Sequence, residues 1–311
     1  MKKIVFLDEY SIAGRDLSKI TSQGDYIAYN NTRKEEVVER LKGADIAITN
    51  KVLIDGEAMR QLPDLKLICV AATGMNNVDL NAAAELGIEV RNAVGYSTTS
   101  VAETTIASAL ALARNIVYFD EYFHDGRYAA ADRAFCYDRT TFQISGKRWG
   151  IIGLGNIGRE VARLATAFGC EVAYFSTSGV ARDEAFPAME LDQLLQWSDI
   201  VSVHSPLNER TRGLVGREEL QKMKPTSIII NVARGGIIDE AALAEALNEG
   251  WVSAAALDVF SVEPLRESPL YNVKDRYRLL ASPHNAWSAA EAIDRLIECV
   301  AENIRIWKAK Q

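Results

Sequence analysis

One stretch constrains this chain more than any other: Trp149 to Ala162, WGIIGLGNIGREVA. An apolar run (Ile151, Ile152) ends at Gly153, and Gly155 and Gly158 follow at G-x-G-x-x-G spacing before a helical pattern begins. That order, strand then glycine turn then helix, is the context the spacing requires. The first glycine permits the tight turn, the second lets a pyrophosphate approach the backbone, and the third allows helix and strand to pack closely. The helix N-terminus then presents unpaired N–H groups and the positive end of a dipole to the phosphates. Taken alone, the motif could equally be a turn that binds nothing, so the rest of the chain has to decide.

Beyond Lys147, six apolar runs read as strands: Arg148–Ile152, Glu171–Phe175, Ile200–Val203, Ser227–Val232, Ser253–Asp258 and Arg278–Ala281. Helical patterns lie between them, for example Ile157–Phe168 and Glu240–Glu249. Six strands with the fingerprint on the first make a complete dinucleotide-binding fold. Residues 1–95 alternate in the same way on a smaller scale. Strands are expected at Ile4–Leu7, Asp45–Thr49, Leu65–Val70 and Ile88–Arg91, and helices at Ser11–Thr21, Glu35–Leu41 and Asn81–Leu86. No glycine-rich loop follows the first of these strands, so this part is not expected to hold the dinucleotide. Thr98–Val117 reads as one apolar helix, buried or at an interface. Tyr118–Ser145 is aromatic, mixed in charge and without clear period, which suits an extended arm against another subunit. Ser288–Lys308 is one more amphipathic helix. The fold class is α/β, with parallel sheets in two domains.

Length and composition agree. A chain of 311 residues suggests two domains, and 48% apolar with 25% charged residues is typical of a soluble globular protein. The net charge of −7 offers nothing to nucleic acid or an anionic membrane. The opening KKIVFLDEY is too short an apolar run for a secretory signal, and no window of about 20 apolar residues exists to span a bilayer. Cys69, Cys136, Cys170 and Cys299 show no C-x-x-C spacing and no histidine nearby, so they read as structural thiols and no metal is expected. A cytoplasmic location follows from these readings.

Three strand ends carry the chemistry. His284 follows the last strand in ASPHNAW, strand four ends in NVARGG with Arg234, and Glu263 stands just beyond strand five. All three belong to the carboxyl edge of one sheet, where α/β sites form. Reducing a keto acid needs a hydride donor, a proton donor to the carbonyl oxygen and a cation for the oxygen and the carboxylate. Nicotinamide supplies the first. Histidine can supply the proton near neutral pH, particularly beside a carboxylate, here Glu263. Arginine can hold a carboxylate and polarise a carbonyl with its planar fork. Each residue alone has a plain alternative: a solvated loop histidine, a structural ion pair, a solvated turn residue. Their joint placement is hard to explain that way.

The chain resembles the D-isomer-specific 2-hydroxyacid dehydrogenases over nearly its whole length. The resemblance rests on AATGMNNVDL (71–80), VAET (101–104), GIIGLGNIGREVA (150–162), HSPLNERTRGLV (204–215), NVARGGIIDEAAL (231–243), ALDVFSVEP (256–264) and SPHNAW (282–287). It implies that Arg234, Glu263 and His284 form the catalytic set, with His284 as acid/base and Glu263 as its orienting partner. It implies that Asp258 bonds the nicotinamide carboxamide, that Asn156 and Ile157 meet the pyrophosphate, and that Pro206 and Val232 flank the adenosine and nicotinamide. The substrate carboxylate would sit on backbone N–H groups of Thr73-Gly74, with Tyr96 facing the same pocket. The resemblance further implies two Rossmann-like domains with the active site in the cleft between them. The substrate domain is expected at 1–98 plus 286–311, and the dinucleotide domain at 99–285. Cleft closure on the cofactor and a homodimer built with the 118–145 arm complete what it implies.

Two details bear on specificity. An acid usually follows the glycines by about 20 residues and binds the ribose 2′-hydroxyl. Here strand two ends Tyr174-Phe175-Ser176-Thr177-Ser178 with no acid, which leaves NADP(H) open beside NAD(H), with Ser176, Thr177 and Arg182 as candidate phosphate contacts. Trp287, three residues after His284, makes an HNAW resembling the H-x-A-W of glycerate dehydrogenases (hydroxypyruvate reductases) in this family. A flat aromatic there would narrow the pocket toward small 2-keto or 2-hydroxy acids such as hydroxypyruvate or glyoxylate; packing between domains is the other reading. A dinucleotide-sensing corepressor would share this fold and could keep the catalytic residues. The chain shows no appended tail for recruiting partners, which speaks against it. Formate or phosphite dehydrogenases alter the substrate loop, whereas Thr73-Gly74 looks like the keto-acid version. A phosphoglycerate-type dehydrogenase without a regulatory domain stays open.

Overall fold

The computed structural model of the protein describes residues 1–179 and 184–311. The chain divides into two compact units, 1–97 with 288–311, and 98–287.

In the first unit, strands β1 (Lys3–Phe6), β2 (Asp25–Ala28), β3 (Ile46–Thr49), β4 (Leu67–Val70) and β5 (Glu89–Asn92) form a parallel sheet in the order β2-β1-β3-β4-β5. β3 and β4 are buried at every position, as expected for strands covered on both faces. Val5, Ile54, Met59, Ile68 and Val70 share the core on one side. The final helix, Ala290–Lys308, packs on β4 with Leu296, Val300 and Ile304 buried. Its polar face is tied to the start of the chain by the Arg15–Asp294 and Lys19–Glu298 pairs.

Two local expectations differ here. No single helix spans Ser11–Thr21. A 3-10 turn covers Glu9–Ile12 and a short helix covers Ser18–Thr21, because Ala13 (φ 51°) and Gly14 (φ 67°) take the left-handed conformation between them. β2 is an edge strand with no fully buried residue, so it lacks the apolar run that marks the others.

In the second unit, β6 (Arg148–Ile152), β7 (Glu171–Phe175), β8 (Ile200–Val203), β9 (Ile228–Asn231), β10 (Ala254–Leu257) and β11 (Leu279–Ala281) are all parallel, in the order β11-β10-β9-β8-β6-β7. The order reverses between β6 and β8, so the glycine turn after β6 stands at the switch point, where α/β sheets bind ligands. Beyond β7, Ala188 makes a single parallel bridge to Tyr174. It lies on the side of β7 where dinucleotide folds place a further edge strand.

The helix after the turn, Asn156–Ala167, buries Gly158, Val161, Ala162 and Ala165. It packs against the helix Thr98–Ala113, which also crosses β9 and β10. That second helix is shorter than its apolar run suggested. Asn115 adopts φ 49° and breaks it, and a new helix runs Ile116–His124. The start of the expected extended arm is therefore helical. After His124 the chain is irregular up to β6. Cys69 and Cys170 are buried, and burial pushes their thiols up to about 12 and about 11. Among the described residues no helix is long and apolar enough to cross a membrane, and no group of side chains could hold a metal ion.

Gly158 seats the helix directly on the turn, since a Cβ built there would lie 2.4 Å from Gly153 O. That oxygen is backbone and cannot swing away. Gly158→Ala is expected to cost about 1–3 kcal/mol by overpacking, read as a lowered midpoint in urea unfolding, whereas Gly155→Ala, whose Cβ meets nothing within 4 Å, should leave that midpoint unchanged.

Candidate active site

Arg234, Glu263 and His284 stand in the loops that follow β9, β10 and β11. Asn231 ends β9, is 2% exposed, and shapes the loop that follows: its Oδ1 accepts from Ala233 N (3.0 Å) and its Nδ2 donates to Arg234 O (2.9 Å). Arg234 thereby leaves the sheet at a fixed point, with Nη1 donating to Ala233 O at 2.7 Å. Among the described residues no carboxylate pairs with it, so a structural ion pair is not what the side chain serves. Gly235 then packs on the loop after β10, where a Cβ would sit 1.9 Å from Phe260 O. Only glycine lets these two loops lie together.

On that second loop, Glu263 is held at both oxygens. Oε1 accepts from Phe260 N (3.0 Å), and Oε2 pairs with His284 Nδ1 at 2.6 Å. The two side chains are 32% and 21% exposed, so the pair is reachable but not fully solvated. With Nδ1 engaged by the carboxylate, Nε2 is the ring nitrogen left to carry and give a proton.

The backbone of His284 is unusual. Its φ of 54° lies in the left-handed region that a non-glycine residue enters at a cost of order 1–3 kcal/mol. Two devices hold it. Trp287 Nε1 donates to His284 O (2.9 Å). Asp258, 2% exposed at the end of β10, accepts from Ser282 Oγ (2.6 Å), Asn285 N (2.9 Å) and Ala286 N (2.9 Å). A buried carboxylate thus clamps the loop on both sides of the histidine. Such charge-assisted bonds are the strong ones.

The remaining sequence candidates fall in two places. Gly153 (φ 93°) closes the turn after β6, and its N–H donates to Phe175 O at 2.9 Å. Gly155 is the N-cap of the following helix, with no side chain capping the first-turn N–H groups of Asn156, Ile157 and Gly158. Ser176 and Thr177 follow β7. Pro206 is exposed after β8, and Val232 is 7% exposed after β9. Arg182 lies outside the described residues. Thr73, Gly74 and Tyr96 belong to the first unit, where Thr73 O accepts from Asn92 Nδ2 (2.6 Å) and Tyr96, 6% exposed, has its carbonyl bonded by Arg295 Nε.

These features suit a dinucleotide. The helix start has no side-chain cap, a Cβ at Gly155 would meet nothing within 4 Å, and just after β8 the buried His204 Nδ1 and Ser205 Oγ have no hydrogen-bond partner among the described residues. The structure also brings out residues that the sequence reading passed over. Asn231 was signalled by one amide ending an otherwise apolar strand, and Ser282 by a hydroxyl two residues before His284. A relay behind the turn was not signalled at all. Trp149 Nε1 donates to Ser202 Oγ (2.9 Å), and that hydroxyl faces His204 Nε2 at 2.9 Å. A hydroxyl that accepts from the indole can give its own proton to Nε2, which makes Nδ1 the protonated nitrogen of a neutral ring. Burial pushes the His204 pKa down to about 3.

Two expectations follow. Trp287→Phe keeps an aromatic side chain but loses the N–H that holds His284 O, and should lower kcat about tenfold with little change in melting temperature. His204 binds its proton far more readily unfolded than folded, so below pH 6.5 acid favours unfolding. Stability should fall by up to about 1.4 kcal/mol per pH unit from this group as pH drops toward 3. Urea unfolding of His204→Gln should show a visibly flatter pH dependence in that window.

The chain is similar to known proteins. The NAD-binding-domain model of the D-isomer-specific 2-hydroxyacid dehydrogenases matches residues 106–286. The glycerate dehydrogenase of Methylorubrum extorquens is 38% identical, covering 99% of this chain and 96% of its own. The hydroxypyruvate reductase of Blautia hydrogenotrophica is 36% identical, covering 97% and 95%. Among solved structures, an acyclic imino acid reductase (Bsp5) in complex with NADPH and D-Arg superimposes with a TM-score of 0.86 at 28% identity, covering 99% of this chain and 97% of that one. On this match and these relatives, the chain belongs to the D-isomer-specific 2-hydroxyacid dehydrogenase family.

Proposed function

We propose that the protein reduces a small 2-keto acid, hydroxypyruvate or glyoxylate, to the D-2-hydroxy acid with a nicotinamide dinucleotide as partner. The observation that carries this reading is the 2.6 Å pairing of His284 Nδ1 with Glu263 Oε2, on a loop clamped by buried Asp258. Relatives named glycerate dehydrogenase, hydroxypyruvate reductase and glyoxylate reductase support the substrate class. NAD and NADPH complexes among the similar structures support the cofactor.

The glycine turn and the first-turn N–H groups of Asn156 and Ile157 would hold the pyrophosphate, with Pro206 and Val232 along its length. When bound, the nicotinamide supplies the hydride to the carbonyl carbon. His284 gives the carbonyl oxygen its proton from Nε2, and Glu263 stabilises the charged ring and fixes which nitrogen reacts. Arg234 polarises the carbonyl and holds the substrate carboxylate by its planar fork. One lone-pair position of Asp258 stays open beyond its three bonds, enough for a carboxamide N–H. Thr73, Gly74 and Tyr96 are assigned to substrate binding on the resemblance, and Trp287 both steadies His284 and limits substrate size. A homodimer is part of the proposal, supported by exposed Phe123, Phe135 and Tyr137 on the 118–145 segment. So is a cytoplasmic location, which the four unpaired cysteine thiols suit.

Initial rates with hydroxypyruvate, glyoxylate, pyruvate and 2-oxoisocaproate should favour one of the first two. His284→Ala should lose about 10²-fold or more in kcat while still binding dinucleotide. Tight dinucleotide binding with no turnover on any of the four would contradict the proposal and favour the sensing alternative.

A further inference from the structure

The glycine turn and the end of β7 are joined by the Gly153 N–Phe175 O bond, so the residues after Phe175 lie where a dinucleotide fold receives the adenosine ribose. A carboxylate usually stands there, accepts from the 2′-hydroxyl and repels a 2′-phosphate. Here three hydroxyl residues follow in a row, Ser176, Thr177 and Ser178, with the two serine Oγ atoms 3.3 Å apart. The next described carboxylate, Glu184, is only 12% exposed and pairs with Arg159 (Arg159 Nε to Oε2, 3.1 Å), so its charge is balanced.

A cation reaches the same place from a different loop. Arg210, after β8, donates through Nη1 to Ser178 O at 3.2 Å, and Nη1 lies 3.8 Å from where a Gly179 Cβ would be. The loop that presents it is built rigidly. Thr211, fully buried, donates from Oγ1 to Pro206 O (2.6 Å) and accepts from Asn208 N (2.8 Å), while Asn208 Oδ1 accepts from Arg210 N (2.9 Å). Among the described residues no carboxylate pairs with Arg210, and its bond to Ser178 O uses one of the five N–H donors of a guanidinium. Neutral hydroxyls and a guanidinium, with no unbalanced acid beside them among the described residues, make a pocket suited to a dianionic phosphate and a poor one for a lone ribose hydroxyl.

We infer that Ser176, Thr177, Ser178 and Arg210 form a 2′-phosphate subsite, that the protein prefers NADP(H) to NAD(H), and that Arg210 is the residue that decides it. The inference rests on the dinucleotide being bound as proposed above, and it concerns only the adenosine end.

Direct binding, followed by quenching of tryptophan fluorescence with the intact protein, separates the two proposals because it needs no substrate. NADPH should bind at least tenfold tighter than NADH, and 2′,5′-ADP should displace it far better than 5′-AMP. Arg210→Gln should shrink the NADPH-to-NADH affinity ratio about ten- to hundredfold, as expected for losing charge-assisted bonds. Arg210→Lys should restore part of the ratio. Ser176→Asp should invert the preference by supplying the missing acceptor and repelling the phosphate. Melting curves check that each variant is folded. Equal affinity for the two nucleotides, tighter NADH, or an Arg210→Gln ratio equal to wild type overturns the inference. Turnover of keto acids with NADH preferred would sink it while leaving the proposed function standing. NADPH preference lost in Arg210→Gln, but with no keto acid reduced, would uphold it while the proposed function fails.

Discussion

The loop that carries His284 depends on one buried carboxylate. Asp258 sits at the end of β10 with 2% of its surface exposed, in a setting where an uncompensated charge would be very costly. It is tolerated because three donors from the following strand's loop converge on it. The consequence is mechanical. A loop that would otherwise sample many shapes is fixed at Ser282, Asn285 and Ala286, and His284 between them is carried in a left-handed backbone that it would not hold unaided. Trp287 adds the last restraint from within the loop. Because the constraint is electrostatic and buried, it is also unforgiving: a missing partner leaves an unpaired group in the interior.

Each neighbouring loop is built on the same logic of a polar residue ending an apolar strand. Asn231 closes β9 and folds the chain back on Arg234. Gly235 lacks the Cβ that would strike Phe260 O, and Phe260 N in turn fixes one oxygen of Glu263. The sheet supplies direction by delivering three parallel ends to one edge. The polar caps supply position. On the dinucleotide side, Gly158 against Gly153 O sets helix on strand, and the Trp149–Ser202–His204 relay backs the turn from behind.

Most of the second unit could be read from its residues. All six strands fall within one or two residues of their apolar runs, and Arg234, Glu263 and His284 stand at strand ends as their spacing implied. What escaped was set by tertiary context. β2 is half-exposed at an edge and carries no buried run. The break at Asn115 depends on one left-handed residue inside an otherwise uniform apolar helix, a conformation that composition does not announce. Asp258 illustrates the limit best. Resemblance assigns it to the carboxamide, and only the geometry reveals that three of its bonds are already made to the loop that carries His284. Arg210 was invisible for a similar reason, since it lies 32 residues from the serine whose carbonyl it bonds.

The central claim is that His284 transfers the proton and that Glu263 works only through it. The direct measurement is a double-mutant cycle on the single-turnover rate of keto-acid reduction, with Glu263→Gln, His284→Ala and the pair, each at saturating substrate and cofactor. Glu263→Gln alone should slow the step about tenfold or more, and should cost nothing further once His284 is already alanine, because residues acting as a unit are strongly non-additive. Losses that multiply in the double variant would show that Glu263 has a role apart from the histidine, and would contradict the claim.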